Sequence, residues 1–164
     1  MHKPLLFALA LLGNGPALAA ELDITVDIPP LEAAKYRRPY VAIWLENASE
    51  DHLINLAVWH DLTKPEQPNR KWLKSLRRWW HVDGWEQKLP IDGVSGATRA
   101  AGRHHLHCNI RGIRPGQYFL VVEAAREHGG RELLRLPFAW PASETVPSIQ
   151  GESELGEVQL QITP

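Results

Sequence analysis

The chain has 164 residues, with 18 Lys and Arg against 19 Asp and Glu, seven Trp, eight His and one Cys. Its length suits one domain, and 44% hydrophobic with 23% charged residues is a globular composition rather than a disordered one. A net charge of −1 argues against general nucleic-acid binding, which needs a basic surface to displace counterions, and one Cys makes neither an internal disulfide nor a Cys-rich metal site.

Met1-His2-Lys3 opens the chain, an apolar run from Pro4 to Leu12 follows, Gly13 to Pro16 breaks it, and Ala17-Leu18-Ala19 closes it with a small-x-small pattern. A charged start, a short apolar core and an A-x-A site predict a secretory signal peptide over residues 1–19. The run is too short for a membrane span, which needs about 20 residues. Residues 20–164 are then read as a single exported domain, destined for the periplasm.

Residues 22–28 alternate apolar and polar, the period of a half-buried strand, and Pro29-Pro30 ends it. Residues 40–46 are apolar on both faces, which suits a central strand. Asn47 to Asp51 is a turn, and residues 53–60 form the returning strand. Between 70 and 81 the period changes. Trp72, Leu73, Leu76, Trp79 and Trp80 recur at three- and four-residue steps among basic residues, predicting an amphipathic helix. Residues 82–102 carry five glycines and prolines without periodicity and read as a long loop, a feature that is often functional. Strands resume at 103–111, 117–125 and 131–139, the last two joined by a hairpin at Glu127-His128-Gly129-Gly130. Residues 141–155 read as loop and 157–163 as a closing strand. About seven strands and one inserted amphipathic helix predict a mostly β fold, an antiparallel Ig-like or fibronectin-like β-sandwich.

The long loop contains Asp92-Gly93-Val94-Ser95-Gly96-Ala97-Thr98. This resembles the D-x-x-(S/T)-G-A-T signature at which exported proteins accept FMN. The resemblance implies covalent FMN on Thr98, transferred from FAD by a separate enzyme, FAD:protein FMN transferase, as a phosphodiester. It also implies roles for Asp92, Ser95, Gly96 and Ala97 in presenting that threonine. The physical reading agrees with an acceptor. A threonine hydroxyl is a weak nucleophile that another enzyme must activate, and Gly96 and Ala97 remove bulk just before it. Asp92 could hold the loop or position the transferase's metal. A tethered flavin needs a stackable surface and nearby cations, for which Trp79, Trp80 and Trp85, with Arg77, Arg78, Arg99 and Arg103, are the candidates. Core packing of each Trp and a solvated face for each Arg are the competing readings.

Three further segments carry a wider resemblance: residues 38–47 (RPYVAIWLEN), 76–80 (LRRWW) and 123–130 (EAAREHGG). Together they resemble a family of predicted periplasmic proteins of unassigned function that accompany PepSY-type membrane proteins and the FMN transferase. That resemblance spans the mature chain and implies a membrane redox partner. His128 lies within it, and Glu127-His128 could relay protons near a flavin, histidine titrating near neutral pH. The segment between Gly102 and Gly116 is richer in His than the family pattern, leaving His104, His105 and His107 without a family role. His105 and His107 share a strand face and are weak metal-ligand candidates, lacking a nearby third ligand. No nucleophile elbow, H-E-x-x-H helix or phosphate-binding glycine loop is present. The leading expectation is an exported flavin carrier passing electrons to a membrane partner rather than an enzyme with its own substrate. The alternatives are a cofactor-free periplasmic binding or assembly module and a His-based metal binder.

Overall fold

The computed structural model describes residues 18–142 and 145–164. Most of the expected signal peptide, residues 1–17, lies outside them. Two sheets face one another. One holds β5 (Gly102–Ile113), β1 (Leu18–Ile28), β9 (Glu157–Thr163) and β8 (Ser148–Gln150), in that spatial order. The other holds β4 (Ser95–Ala97), β3 (His52–His60), β2 (Tyr40–Asn47), β6 (Gly116–Ala125) and β7 (Arg131–Trp140). The fold is therefore the expected sandwich, with no closed barrel among the described residues. Among the described residues its strands number nine rather than about seven. The two additions are three residues long, too short to carry a legible period: β4 lies inside the presumed loop 82–102, and β8 inside 141–155. Every pairing is antiparallel except β3 with β4, which is parallel.

Alternation in β1 does what its period predicts. Leu22, Ile24, Val26 and Ile28 point inward and are buried, and they meet Val41, Ile43, Leu45, Leu120, Val122 and Leu160 between the sheets. Each such side chain contributes about 1.5–3 kcal/mol by leaving water. Cys108 packs against this core, and burial pushes its thiol pKa up, with Asp23 adding to the effect. β2 is buried on both faces because a third layer covers the outer face of its sheet. There Tyr40, Ala42, Trp44, Val58 and Val121 meet Leu73, Leu76 and Trp79 of the helical segment.

The helical segment departs from the single helix expected over 70–81. It is α1 (Glu66–Leu73), then a break, then α2 (Arg77–Trp79) running into a π-helical turn at Trp80–Gly84. Leu76 leaves helical backbone at ψ 74°, and i,i+3 bonds close the joint. The break has a tertiary cause. It aims the first N–H groups of α2 into the sheet, where the Glu123 carboxylate receives those of Arg78 (3.2 Å) and Trp79 (2.8 Å). A carboxylate at helical N–H groups satisfies donors that have no partner within the helix. Glu46, equally buried, accepts from Trp44 Nε1 (3.0 Å), from Arg78 Nε and Nη2 (3.2 and 3.1 Å) and from Arg135 Nη2 (3.0 Å). The segments 38–47, 76–80 and 123–130 thus meet through two buried acids that fasten helix to sheet.

Candidate functional site

The Asp92–Thr98 motif sits at the edge of the five-stranded sheet. β4 pairs Ser95, Gly96 and Ala97 with Val58, Trp59 and His60, and the ladder extends to Val58 N–H on Val94 O (3.0 Å) and Thr98 N–H on His60 O (3.2 Å). Asp92 and Gly93 form the turn before it, with Gly93 at φ +67°, a conformation that favours glycine. Ser95 Oγ accepts the Ile91 N–H at 2.8 Å and lies 3.2 Å from His60 Nε2. The loop is therefore held by Ser95, while the Asp92 side chain is exposed and bonds to none of the described residues. Gly96 lies against Trp59, where a Cβ would come within 3.3 Å of Cδ1. Arg99 is exposed and its guanidinium lies 5.1 Å from the same Trp59 ring.

Thr98 is half-buried and lines an open cleft of about 230 Å³. Its backbone is fixed by the bond to His60, yet its hydroxyl bonds to none of the described residues. The far wall is a network. Glu127 pairs with Lys64 and accepts from Tyr40 OH at 3.3 Å, and Lys64 also lies 3.6 Å from Asp61. Burial, then the charges of Glu127 and Asp61, push the Tyr40 pKa well up, so the phenol stays protonated and donates. The Thr63 hydroxyl bond holds the Asp61 carboxyl below its ordinary range. Asn69, buried at the start of the segment, donates to Asp61 O (2.7 Å) and Lys64 O (3.0 Å) and so fixes the connection between β3 and α1. Tyr36, Arg37 and Arg38, from the connection before β2, complete the cleft.

His60 is 3% exposed, and its Nδ1 has no hydrogen-bond partner among the described residues. Burial pushes its pKa down, with Asn69 and Asp61 opposing. The unfolded chain therefore takes up a proton on His60 at a higher pH than the folded one. Its contribution to stability is full above the ordinary histidine pKa and is lost as the pH falls below it toward the folded value. Urea unfolding at pH 7.5 and 5.5 is expected to show a loss of stability on acidification that is smaller in His60→Gln. An equal loss in both proteins would refute this.

The remaining sequence candidates disperse. Trp79 is fully buried, its Nε1 donating to Asn55 Oδ1 at 2.9 Å, so it offers no face for a flavin. Trp80 is half-buried beneath Arg70 and Lys74 (4.9 and 5.6 Å from its ring), and Trp85 is exposed; neither lines the Thr98 cleft. Arg77 is exposed, Arg78 is engaged by Glu46, and Arg103 forms a paired contact with Asp27 (2.8 Å). His128 holds φ +55° in its exposed turn and meets Trp72 edge-on at 5.1 Å, while its neighbour Glu127 turns into the cleft. His105 and His107 stand on the outer face of the other sheet. His105 Nδ1 is 3.3 Å from Thr25 Oγ1 and His107 Nδ1 2.7 Å from Asp23 Oδ1, which pushes the His107 pKa up. Among the described residues no three His, Cys, Asp or Glu side chains gather as metal ligands. Among those residues, too, no helix is long and apolar enough to cross a membrane. Sequence reasoning assigned no role to Arg37, Arg38 or Lys64: Arg37 and Lys64 lie in polar connections without a period or motif, and Arg38 opens the segment 38–47 without a feature that marks its side chain.

Fold and site together define a two-sheet β-sandwich with a helical outer layer and a glycine-containing edge strand that presents a threonine to a polar cleft. The chain belongs to the family described as "Predicted periplasmic protein (DUF2271)", whose model matches residues 21–157. No curated protein and no solved structure matches it.

Proposed function

We propose that this protein is an exported flavin carrier in which FMN is joined to Thr98 by a phosphodiester and exchanges electrons with a PepSY-type or other membrane redox partner. The periplasmic description of the family and the signal-peptide pattern of residues 1–19 support export. One observation carries the assignment of the site. The motif's backbone is pinned by β4 and by the Thr98 N–H, while Thr98 lines an open, partly cationic cleft and its hydroxyl has no partner of its own among the described residues.

These residues fit a phosphoryl group, since the hydroxyl bonds to none of the described residues and three basic side chains line the same cleft. In the transfer, the Thr98 oxygen forms a bond to the FMN phosphorus of FAD. The bond from that phosphorus to the AMP oxygen breaks, AMP leaves with the electron pair, and the threonine proton passes to a base of the transferase. The flavin, once bound, supplies one- and two-electron chemistry. The chain's own part is to fix the acceptor. Ser95 and the β3–β4 ladder hold the approach to Thr98, and Gly96, close against Trp59, keeps side-chain bulk from beside the acceptor.

The test is co-expression of the full chain with an FMN transferase. A flavin mass adduct on the Thr98 peptide and fluorescence that survives a denaturing gel are expected in the unaltered protein and are lost completely in Thr98→Val. An unmodified Thr98 under these conditions would overturn the reading and leave a cofactor-free binding module.

A further inference from the structure

We propose that Arg37 and Arg38 make the Thr98 cleft a binding site for phosphate groups, present in the free protein before any covalent step. The proposal rests on the reading of Thr98 as FMN acceptor only for the identity of the ligand, the phosphate of a flavin nucleotide.

The argument is one of unspent charge. Five charged side chains line the cleft, three basic and two acidic. The acids are already engaged. Asp61 accepts the Thr63 N–H (3.0 Å) and hydroxyl (2.6 Å) and faces Lys64, while Glu127 pairs with Lys64 and accepts from Tyr40. Lys64 is consumed by the same two acids. Arg37 and Arg38 are exposed and form no hydrogen bond or ion pair with any described residue. The three basic and two acidic side chains leave the cleft with one net positive charge, and its two unpaired cations are these guanidiniums.

They are also held in place. Pro39, next in the chain, is buried, and Tyr40 begins β2 with its hydroxyl tied to Asn69 and Glu127. The backbone carrying both arginines is thus anchored to the sheet at one end, although the side chains are open. A guanidinium stays charged at any physiological pH and offers paired N–H donors that match two phosphate oxygens at once. Two arginines lining a cleft whose threonine hydroxyl bonds to none of the described residues suit a phosphate ester better than a carboxylate or a neutral ring. The same donors would stabilise the negative charge that remains on a phosphodiester at Thr98.

The experiment uses the full chain purified without transferase, titrated calorimetrically at low salt with FMN, riboflavin and inorganic pyrophosphate. FMN and pyrophosphate are expected to bind and riboflavin, which lacks phosphate, not to. Binding of both anions is expected to weaken at least tenfold in the double variant Arg37→Gln/Arg38→Gln. It is expected to stay unchanged in the charge-matched control Arg111→Gln/Arg114→Gln, whose exposed residues lie away from the cleft. Circular dichroism confirms that each variant is folded. Riboflavin binding as tightly as FMN, equal anion binding by the cleft variant and the unaltered chain, or no anion binding by the unaltered chain would each overturn the proposal. Adduct formation is followed on the same proteins after exposure to the transferase. Arginine-dependent anion binding with no adduct refutes the covalent reading alone. Full adduct yield with arginine-independent binding refutes the anion site alone.

Discussion

Glu123→Ala is expected to lower the free energy of unfolding by about 3–5 kcal/mol, the range for removing one partner of a buried charged network. Glu123 sits two residues before the end of β6 with no exposed surface. Its Oε1 accepts from Arg131 Nε (2.6 Å) and the Arg78 N–H, and its Oε2 accepts the Trp79 N–H. Truncation leaves three donors without their acceptor. Arg131 keeps a third of its side chain in water and recovers part of the loss by hydration. The two backbone groups at the start of α2 fare worse, the Trp79 N–H being fully enclosed. Each unmet buried donor costs about 1–3 kcal/mol. In a domain of this size each kcal/mol lowers Tm by about 2–4 °C. Glu123→Gln should fall between the two proteins, because one oxygen still serves Arg131 while an amide now opposes the Trp79 N–H. Urea unfolding of the three proteins measures this, and a loss below about 1 kcal/mol in Glu123→Ala would refute the role assigned to the acid.

Trp79→Ala is expected to cost a similar amount, about 3–5 kcal/mol, by a different route: a large cavity opened in the outer core. Trp79 has no exposed surface. Its ring packs beside Gly84, where any Cβ would come within 2.5 Å of it, and its Nε1 is bound by Asn55. Asn55 in turn donates to Asp83 at 2.6 Å, which also receives Gln87, so the cavity would also strip a donor from a polar network at the π-helical turn. This prediction separates two readings of the same residue. As core, Trp79 sets the stability of the protein whether or not flavin is attached. As a stacking surface it would leave stability intact and alter only the flavin. Trp80→Ala, half-buried beneath two cations, should cost clearly less in the same denaturation series. Equal stability of Trp79→Ala and the parent would refute the core assignment.

Strand alternation was legible wherever a strand was long and one-sided. In β1 and β9 the buried residues fall on the inward phase, because a period of two needs only one neighbour layer to become visible. The doubly apolar run 40–46 also reported its place correctly, between two layers. The helix was legible as an amphipathic pattern but not as two pieces. Its break at Leu76 answers to Glu123, 47 residues further on, and no local period carries that information. The same limit applies to the tryptophans. Trp79 and Trp80 are neighbours in a basic aromatic run, yet one is sealed and the other half open, because successive residues on helical backbone point about 100° apart and it is Trp79 that faces the sheet.

By itself the sequence determined which hydroxyl to examine and the layer architecture around it. The motif at 92–98 is contiguous, and hydrophobic period is a local property, so both survive without coordinates. Only the tertiary structure decided what surrounds Thr98. Arg37 and Arg38 come from before β2, Lys64 from after β3 and Glu127 from the β6–β7 hairpin, and three chain segments must fold together before their charges share one cleft. Electrostatic partnership depends on distance in space, and it is this that leaves two guanidiniums unspent beside the threonine while every acid in the cleft is taken.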